Sequence, residues 1–487
     1  DQDRMNAFMQ DLESLCRVRV YEGCTSISLV GNAIRTILGR LSAALDVFQD
    51  RHVYLVTQSA NDLNLTLVVD SEHAVSLVRK LHQVLISAVA ESRPEFGPSW
   101  SQMTQPVAPG GLPEPWWRRR SDALLQLMQG RDSAYVYDRE SVQKAARRLK
   151  SMSRVGRALY AVKANDNVEM LRVLAEEGVA FECVSWEEVE HVLDQVPGIG
   201  VDDILFTPNF APRREYRAAL DRGVRLTIDN AWAVHQWPEL FAGHDVFLRI
   251  DLEAGYGHHK KVVTAGSDSK FGISRPDIEG VLEVLHGQGA RVLGLHSHTG
   301  SGVNEVDAWR EQLERFIDIL PLFPDVRVLD LGGGIGVPDR PGKPAFDLGR
   351  LDESLSATLG DRDIELWLEP GRYLVAESGV LLSRVTQLKS KGQHHYLGLA
   401  TGMNSLIRPA LYGAYHEIVN LSRMHKDAEI DYRVVGPICE SGDVLGESRF
   451  LPASAEGDIM LVANAGAYGR VMASAYNRRQ PAEELML

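Results

Sequence analysis

Between residues 158 and 369 the chain repeats one unit eight times: a short apolar run, then a longer helical or mixed stretch. The runs are ALYAVK (158–163), VAFECV (179–184), DILFT (203–207), VRLTI (224–228), DVFLRI (245–250), RVLGLH (291–296), VRVLDL (326–331) and IELWLE (364–369). Near-continuous apolar runs mark parallel strands buried on both faces, and helices are the usual connection between such strands. Eight in series predict a closed α/β barrel of the (β/α)8 type.

The flanks follow different rules. After residue 372 the long helical stretches stop and short β-like runs take over at 379–388, 432–438 and 457–466. These predict a C-terminal β domain over 376–487, after a barrel over 131–375 whose first run, AYVYD (134–138), joins that β domain. Residues 1–92 read as strand (24–31), amphipathic helix (32–48), two strands (52–59 and 64–70) and helix (71–87), a small α+β domain. Residues 93–130 begin with a proline-rich, aperiodic stretch and read as a linker.

Composition narrows the partners. A formal net charge of -14 disfavours nucleic acid and anionic membrane surfaces. The four cysteines lie far apart without zinc spacing, so no metal is expected and a cytoplasmic location fits. No apolar run reaches membrane-spanning length.

In a (β/α)8 barrel the chemistry collects at the C-terminal ends of the strands. Lys163 ends the first run, where an ammonium would ordinarily reach for water. His296 and His298 end the sixth, LGGGIG (331–336) the seventh and EPGR (369–372) the eighth. The glycine run is not a dinucleotide fingerprint, because Val337 occupies its last position. At a strand end, bare amides at Gly332, Gly333 and Gly334 can approach an anion, with Ser301 and Arg372 completing a phosphate cup. A lone member of this set would be a buried histidine, a paired carboxylate or a plain turn. Together they suit pyridoxal 5'-phosphate, which needs a lysine, an anion cup and a group opposite its ring nitrogen. Lys163, the cup and Glu369 match those needs, and His298 can stack on the ring.

The motifs YAVKAN (160–165), SKFGIS (269–274), GLHSHTGSG (294–302), LDLGGGIG (329–336), EPGRYLV (369–375), CESGD (439–443) and GAYG (466–469) resemble the fold type III, pyridoxal phosphate-dependent basic amino acid decarboxylases. The resemblance covers roughly residues 130–487 with the motifs in family order. It implies an alanine racemase-like barrel with Lys163 covalently linked to the cofactor, and Gly371 and Tyr468 among the residues that bind it. MNSLIRPALYGAYHEI (403–418) is similar to the diaminopimelate decarboxylase branch. That likeness implies that Arg408 and Tyr412, with Arg372 and Tyr468, bind substrate, Arg408 and Tyr412 taking its distal carboxylate. Cys439 would lie at the reacting carbon and Glu440 at the distal amino group, both supplied by a partner subunit of a homodimer. Catalytic roles thus fall to Lys163, His298, Glu369 and Cys439, with Cys439 or Lys163 returning the proton. The expected reaction converts meso-2,6-diaminopimelate to L-lysine and CO2, the last step of lysine biosynthesis. Carboxynorspermidine, ornithine or arginine decarboxylation, a related racemase and a non-catalytic regulatory homologue are the alternatives. FECVSWEEV (181–189) departs from the family's Asp-Val-Val-Ser-Gly-Gly-Glu-Leu, RIDLEAG (249–255) from Arg-x-Asn-Pro, and ATGMN (400–404) from Asp-Ala-Gly-Met-Asn.

CTSISLVGNAIR (24–35), SANDLNLTLVVD (59–70) and LVRKLHQVL (77–85) resemble the regulatory ACT module of aspartate kinases. The two resemblances imply the C-terminal portion of a bifunctional aspartate kinase–decarboxylase, its kinase catalytic domain lying upstream of Asp1. The module would sense lysine or mediate assembly.

Overall fold

The structure is a computed structural model. It describes residues 114–487 except 253–268, 299, 341–342 and 393, and in the N-terminal part 23–30, 53–58, 64–71 and five single positions (8, 12, 16, 74 and 78). The chain forms two compact units, Asp1–Gly111 and Leu112–Leu487. Among the described residues no helix is long and apolar enough to cross a membrane.

In the first unit, β1 (Cys24–Val30), β2 (Val53–Gln58) and β3 (Asn64–Asp70) form an antiparallel sheet of order β1–β3–β2. Along β3 Leu65, Leu67 and Val69 alternate with half-buried residues, the period-2 pattern of a strand covered on one face. Ile27 of β1 pairs with Leu67. The helices expected at 32–48 and 71–87 lie largely outside the described residues.

In the second unit, β4 (Ser133–Tyr137) precedes eight parallel strands: β5 (Val155–Ala161), β6 (Ala180–Cys183), β7 (Ile204–Phe206), β8 (Arg225–Ile228), β9 (Asp245–Arg249), β10 (Arg291–His296), β11 (Val328–Asp330) and β12 (Glu365–Leu368). They close into a barrel in which β12 pairs with β5 and β9 with β10. All eight expected runs are strands of this barrel. Several of the unit's helices start on side-chain caps: Asp138 accepts from the Ser141 amide, Asn167 from Glu169 and Met170, Ser185 from Glu188, and Asp347 from Arg350. Inside the barrel Leu159, Ala180, Leu205, Phe247, Val328 and Trp367 form a separate apolar cluster. The Phe247 and Trp367 rings lie 5.3 Å apart. Gly294 makes room for them, since a Cβ there would sit 2.5 Å from the Phe247 ring. This plug fills the barrel interior below the strands' C-terminal ends.

The β domain continues with β13 (Gly379–Lys391), β14 (His394–Leu399), β15 (Ile418–Asn420), β16 (Ile430–Val435), β17 (Val444–Leu451), β18 (Ile459–Val462) and β19 (Glu483–Met486). Its main sheet runs β15–β18–β13–β14–β16–β17, and β4 lies between β13 and β19. β14, β15, β17 and β19 are short, polar-flanked or edge strands whose alternation is too brief to read from sequence.

The linker reading over 93–130 needs correction at its end. Helices Trp116–Arg119 and Ser121–Leu127 bury Trp116, Trp117 and Leu124 in one cluster with β4, β13 and β18. The Trp116 indole N–H donates to the Glu377 carbonyl at 3.0 Å. Prolines upstream hid two tryptophans whose burial outweighs the local turn signals.

Candidate active site

β5 stops at Ala161, and Lys163 sits in the 3-10 turn Val162–Ala164 that follows. The turn is held from the β domain: the Tyr468 amide donates to the Ala164 carbonyl at 2.7 Å. Tyr468 adopts a positive φ of 55°, unusual for an aromatic residue and sustained here by that contact. The Lys163 ammonium pairs with Glu182 on β6, whose other oxygen accepts from Thr207 Oγ1. The lysine side chain keeps 36% of its exposure, toward the barrel mouth, while Glu182 keeps 2%. Burial opposes the ammonium charge, but Glu182 and Glu369 outweigh it and raise the lysine pKa above its ordinary value.

Strands β10, β11 and β12, which lead round the barrel to β5, deliver the next groups. Gly332 and Gly334 take φ of +66° and +98°. A Cβ on Gly333 would lie 2.2 Å from the Glu369 carbonyl, and one on Gly334 2.5 Å from the Gly300 carbonyl. Only glycine fits this tight turn. The Gly333 amide donates to His298 Nδ1 at 3.1 Å, leaving the ring proton on Nε2. Burial, then Arg249 and Lys163, press the His298 pKa down to about 3, so the imidazole is neutral. Glu369, 5% exposed, meets His296 Nε2 through Oε2 at 3.2 Å. Burial opposes its charge, but His296, Lys163 and His298 prevail and lower its pKa to about 2. Asp330 completes this corner and accepts from the Gly332 amide at 2.8 Å.

Arg372 opens a one-turn helix after Gly371 and donates to Ser301 Oγ at 2.9 Å. Its guanidinium lies 4.9 Å from the Tyr468 ring centroid. Gly371 keeps this corner open, since a Cβ would crowd Ala164 at 2.9 Å and the Tyr468 hydroxyl at 3.3 Å. Arg408 begins the helix Arg408–Tyr412 and is 7% exposed. Burial, then the charge of Arg372, lower its pKa to about 10, and Tyr468 and Tyr412 act on it favourably. Its Nη1 donates to His416 Nε2 at 3.3 Å, because His416 Nδ1–H is committed to the Ala463 carbonyl at 2.8 Å. Among the described residues neither Arg372 nor Arg408 has a carboxylate partner.

Lys163, His298, Ser301, the glycine turn, Glu369, Gly371, Arg372, Tyr468, Arg408 and Tyr412 thus form one connected set around the C-terminal mouth. Cys439 and Glu440 do not join it. Both are exposed. The Cys439 amide donates to Asn477 Oδ1 at 2.7 Å, and Glu440 lines a different groove, of about 680 Å³, with Lys389, Arg433 and Arg479. Their loop is nonetheless rigidly founded: Asp443 accepts from the Met403 and Ile438 amides at 2.6 and 2.7 Å. Sequence reasoning missed Glu182, Arg249, Asp330 and His416. The only signal for the two acids was a carboxylate inside a run that is otherwise buried.

The residues suit pyridoxal phosphate on features of this structure. The turn at Gly332–Gly334 has no room for side chains and presents bare backbone at the strand ends. Glu369 Oε1 and Arg372 Nε are buried without a hydrogen-bond partner, one an acceptor and one a donor. Lys163 stands on the exposed side of the same mouth.

Residues 139–376 match the family model of the pyridoxal-dependent decarboxylase, pyridoxal binding domain. The chain is 33% identical over 371 residues to diaminopimelate decarboxylase of Methanothermobacter thermautotrophicus, covering 72% of this chain and 86% of that one. It is 32% identical over 372 residues to diaminopimelate decarboxylase of Escherichia coli K12, covering 72% and 88%. The crystal structure of diaminopimelate decarboxylase from Helicobacter pylori complexed with L-lysine superposes with a TM-score of 0.68 at 28% identity, covering 75% of this chain and 94% of that one. A viral arginine decarboxylase bound to agmatine shares the fold at 19% identity and a TM-score of 0.68. On the identity and coverage of these relatives, the chain belongs to the diaminopimelate decarboxylase family of pyridoxal-dependent enzymes.

Proposed function

We propose that this enzyme decarboxylates meso-2,6-diaminopimelate to L-lysine and CO2 with pyridoxal phosphate as cofactor. The observation that carries the substrate choice is the pair of desolvated guanidiniums, Arg372 and Arg408, that lack carboxylate partners among the described residues. A buried cation without a counter-charge is costly, so each position is built for an incoming anion. Arg372, bonded to Ser301 beside the glycine turn, serves the cofactor phosphate and borders the substrate. Arg408, with Tyr412, serves the distal carboxylate of diaminopimelate. Ornithine has no such carboxylate and would leave Arg408 unpaired.

The bound cofactor supplies a cationic ring that accepts the electrons freed as CO2 departs. The protein's residues do the rest. Lys163 provides the amine for the covalent link, and Glu182 is the adjacent carboxylate able to take the ammonium's proton. Glu369, favoured as the carboxylate, would hold a proton on the ring nitrogen of the bound cofactor. Neutral His298 would flank the bound ring without adding charge, and Tyr468 closes the site over the Lys163 turn and Arg372. Cys439 and Glu440 act on a second copy of the chain, Cys439 near the reacting carbon and Glu440 at the distal amino group. The enzyme is then a homodimer with shared sites. The N-terminal unit is read as an ACT module of a bifunctional aspartate kinase–decarboxylase. Its antiparallel β1–β3–β2 sheet supports that reading.

The test is product formation. The full chain with pyridoxal phosphate is incubated separately with meso-diaminopimelate, ornithine, arginine and carboxynorspermidine, and CO2 and amines are quantified. Lysine from diaminopimelate alone is expected. Preferential turnover of another substrate would overturn the assignment.

A further inference from the structure

Beneath the glycine turn, His296, Asp330 and Glu369 bring one donor atom each within 4.8 Å of one another, and all three side chains are buried. Asp330, 0% exposed, is the most enclosed of them. Two buried carboxyl groups with oxygens within 4.8 Å of each other oppose one another's ionisation. Each also keeps one oxygen, Asp330 Oδ2 and Glu369 Oε1, buried with no donor to satisfy it. A proton carried by Asp330 resolves both problems. It removes one negative charge, and it converts an unsatisfied acceptor into a donor aimed at its neighbour.

We propose that Asp330 is a positioning residue, held as the neutral acid, that donates its proton to Glu369 while accepting the Gly332 amide. The inference deepens the functional reading above, because it concerns the carboxylate assigned to the ring nitrogen. The location of the proton follows from the surroundings. Glu369 is faced by His296 Nε2 at 3.2 Å and by the Lys163 ammonium, both of which favour its ionised form. Asp330 is faced by Glu369 and Glu182, which disfavour its ionised form, with burial the largest cause and only the Gly332 amide opposing. Arg249 acts on Glu369 from β9. One side chain thereby joins two functions. Its Oδ1 braces Gly332 at the start of the anion turn, and its proton orients Glu369, whose own amide donates to the Gly332 carbonyl at 2.8 Å. A shift in one would be felt by the other.

The test compares Asp330→Asn and Asp330→Ala in the full chain and adds infrared spectroscopy of the wild-type protein without cofactor. Asparagine keeps an acceptor for Gly332 and a donor for Glu369, so it should mimic the neutral acid. Asp330→Asn should retain pyridoxal phosphate affinity and turnover within about 3-fold of wild type, and Asp330→Ala should lose about 10-fold or more of each. The wild-type spectrum near neutral pH should contain a protonated-carboxyl band that Asp330→Asn abolishes. Absence of that band would overturn the proposal, as would Asp330→Asn being as impaired as Asp330→Ala. One tightly held divalent ion per chain, lost on Asp330→Asn, would overturn it too by placing a cation where the proton is assigned. The band present in a protein that makes no lysine would leave this proposal standing and sink the functional reading instead.

Discussion

The barrel rim and the 436–443 loop of the β domain both carry residues assigned to the reaction, yet they are built in opposite ways. On the rim, Lys163, Glu182, His296, His298, Asp330 and Glu369 are interlocked by charge and hydrogen bonds and mostly withdrawn from water. In the loop, the base is fixed by Asp443, while Cys439 and Glu440 stand exposed. A catalytic site gains from groups held in place and from exclusion of water. The rim has both within one chain. The loop has the first and lacks the second, which is what a surface prepared for another copy of the chain would show.

The largest effect that sharpens this contrast is at Lys163. Lys163→Ala should abolish the covalent cofactor link and lower kcat/KM by about 10^4-fold or more. Absorbance of the reconstituted protein and product formation check it, and substantial residual turnover would break the rim assignment. Next is Glu369→Gln, which removes the negative charge while keeping shape. Turnover should fall by about 10^2- to 10^3-fold with cofactor still bound, the scale of losing one preorganised electrostatic group. Arg408→Met should cost about 10^2-fold in kcat/KM for diaminopimelate, mainly through KM, and Arg408→Lys less, because a lysine keeps the charge although it cannot grip a carboxylate in two places. Unchanged KM would mean that Arg408 serves structure alone.

The smallest effect concerns the rim's foundations. Burial raises the Glu188 pKa from 4.5 to about 7, against the pull of the Val184 amide it accepts from. A carboxyl whose pKa is raised by folding favours the folded state while both states are protonated. That stability is fully present below about pH 4.5 and is lost as pH climbs through 7. Glu188→Gln does not titrate and can still accept from Val184. Its unfolding free energy relative to wild type should therefore rise between pH 5 and pH 8, by an amount on the order of 2 kcal/mol, as denaturant titrations at the two pH values would show. A flat difference would show that Glu188 titrates normally.

How much of this was legible in the sequence follows the same division. The eight barrel strands are readable because strands buried on both faces are apolar throughout. Lys163, His298, the glycine run and Glu369 are readable because each breaks such a run at its end. Glu182 and Asp330 are not, because a single carboxylate within a buried strand has no local signature, and the partners lie far along the chain, Lys163 19 residues before Glu182 and Glu369 39 residues after Asp330. Trp116 and Trp117 read as linker because most of the cluster that receives them comes from β13 and β18, more than 260 residues later. The contact between the Tyr468 amide and the Lys163 turn is likewise a tertiary fact.

The measurement that tests the contrast most directly mixes two inactive proteins. Lys163→Ala lacks the rim nucleophile and Cys439→Ala lacks the loop thiol. If each site joins one chain's rim to another's loop, random pairing restores one good site to half of the dimers. Activity should then return to about a quarter of the wild-type value. If both halves of the site come from the same chain, the mixture stays as inactive as its components, and the division of the site between two copies is wrong.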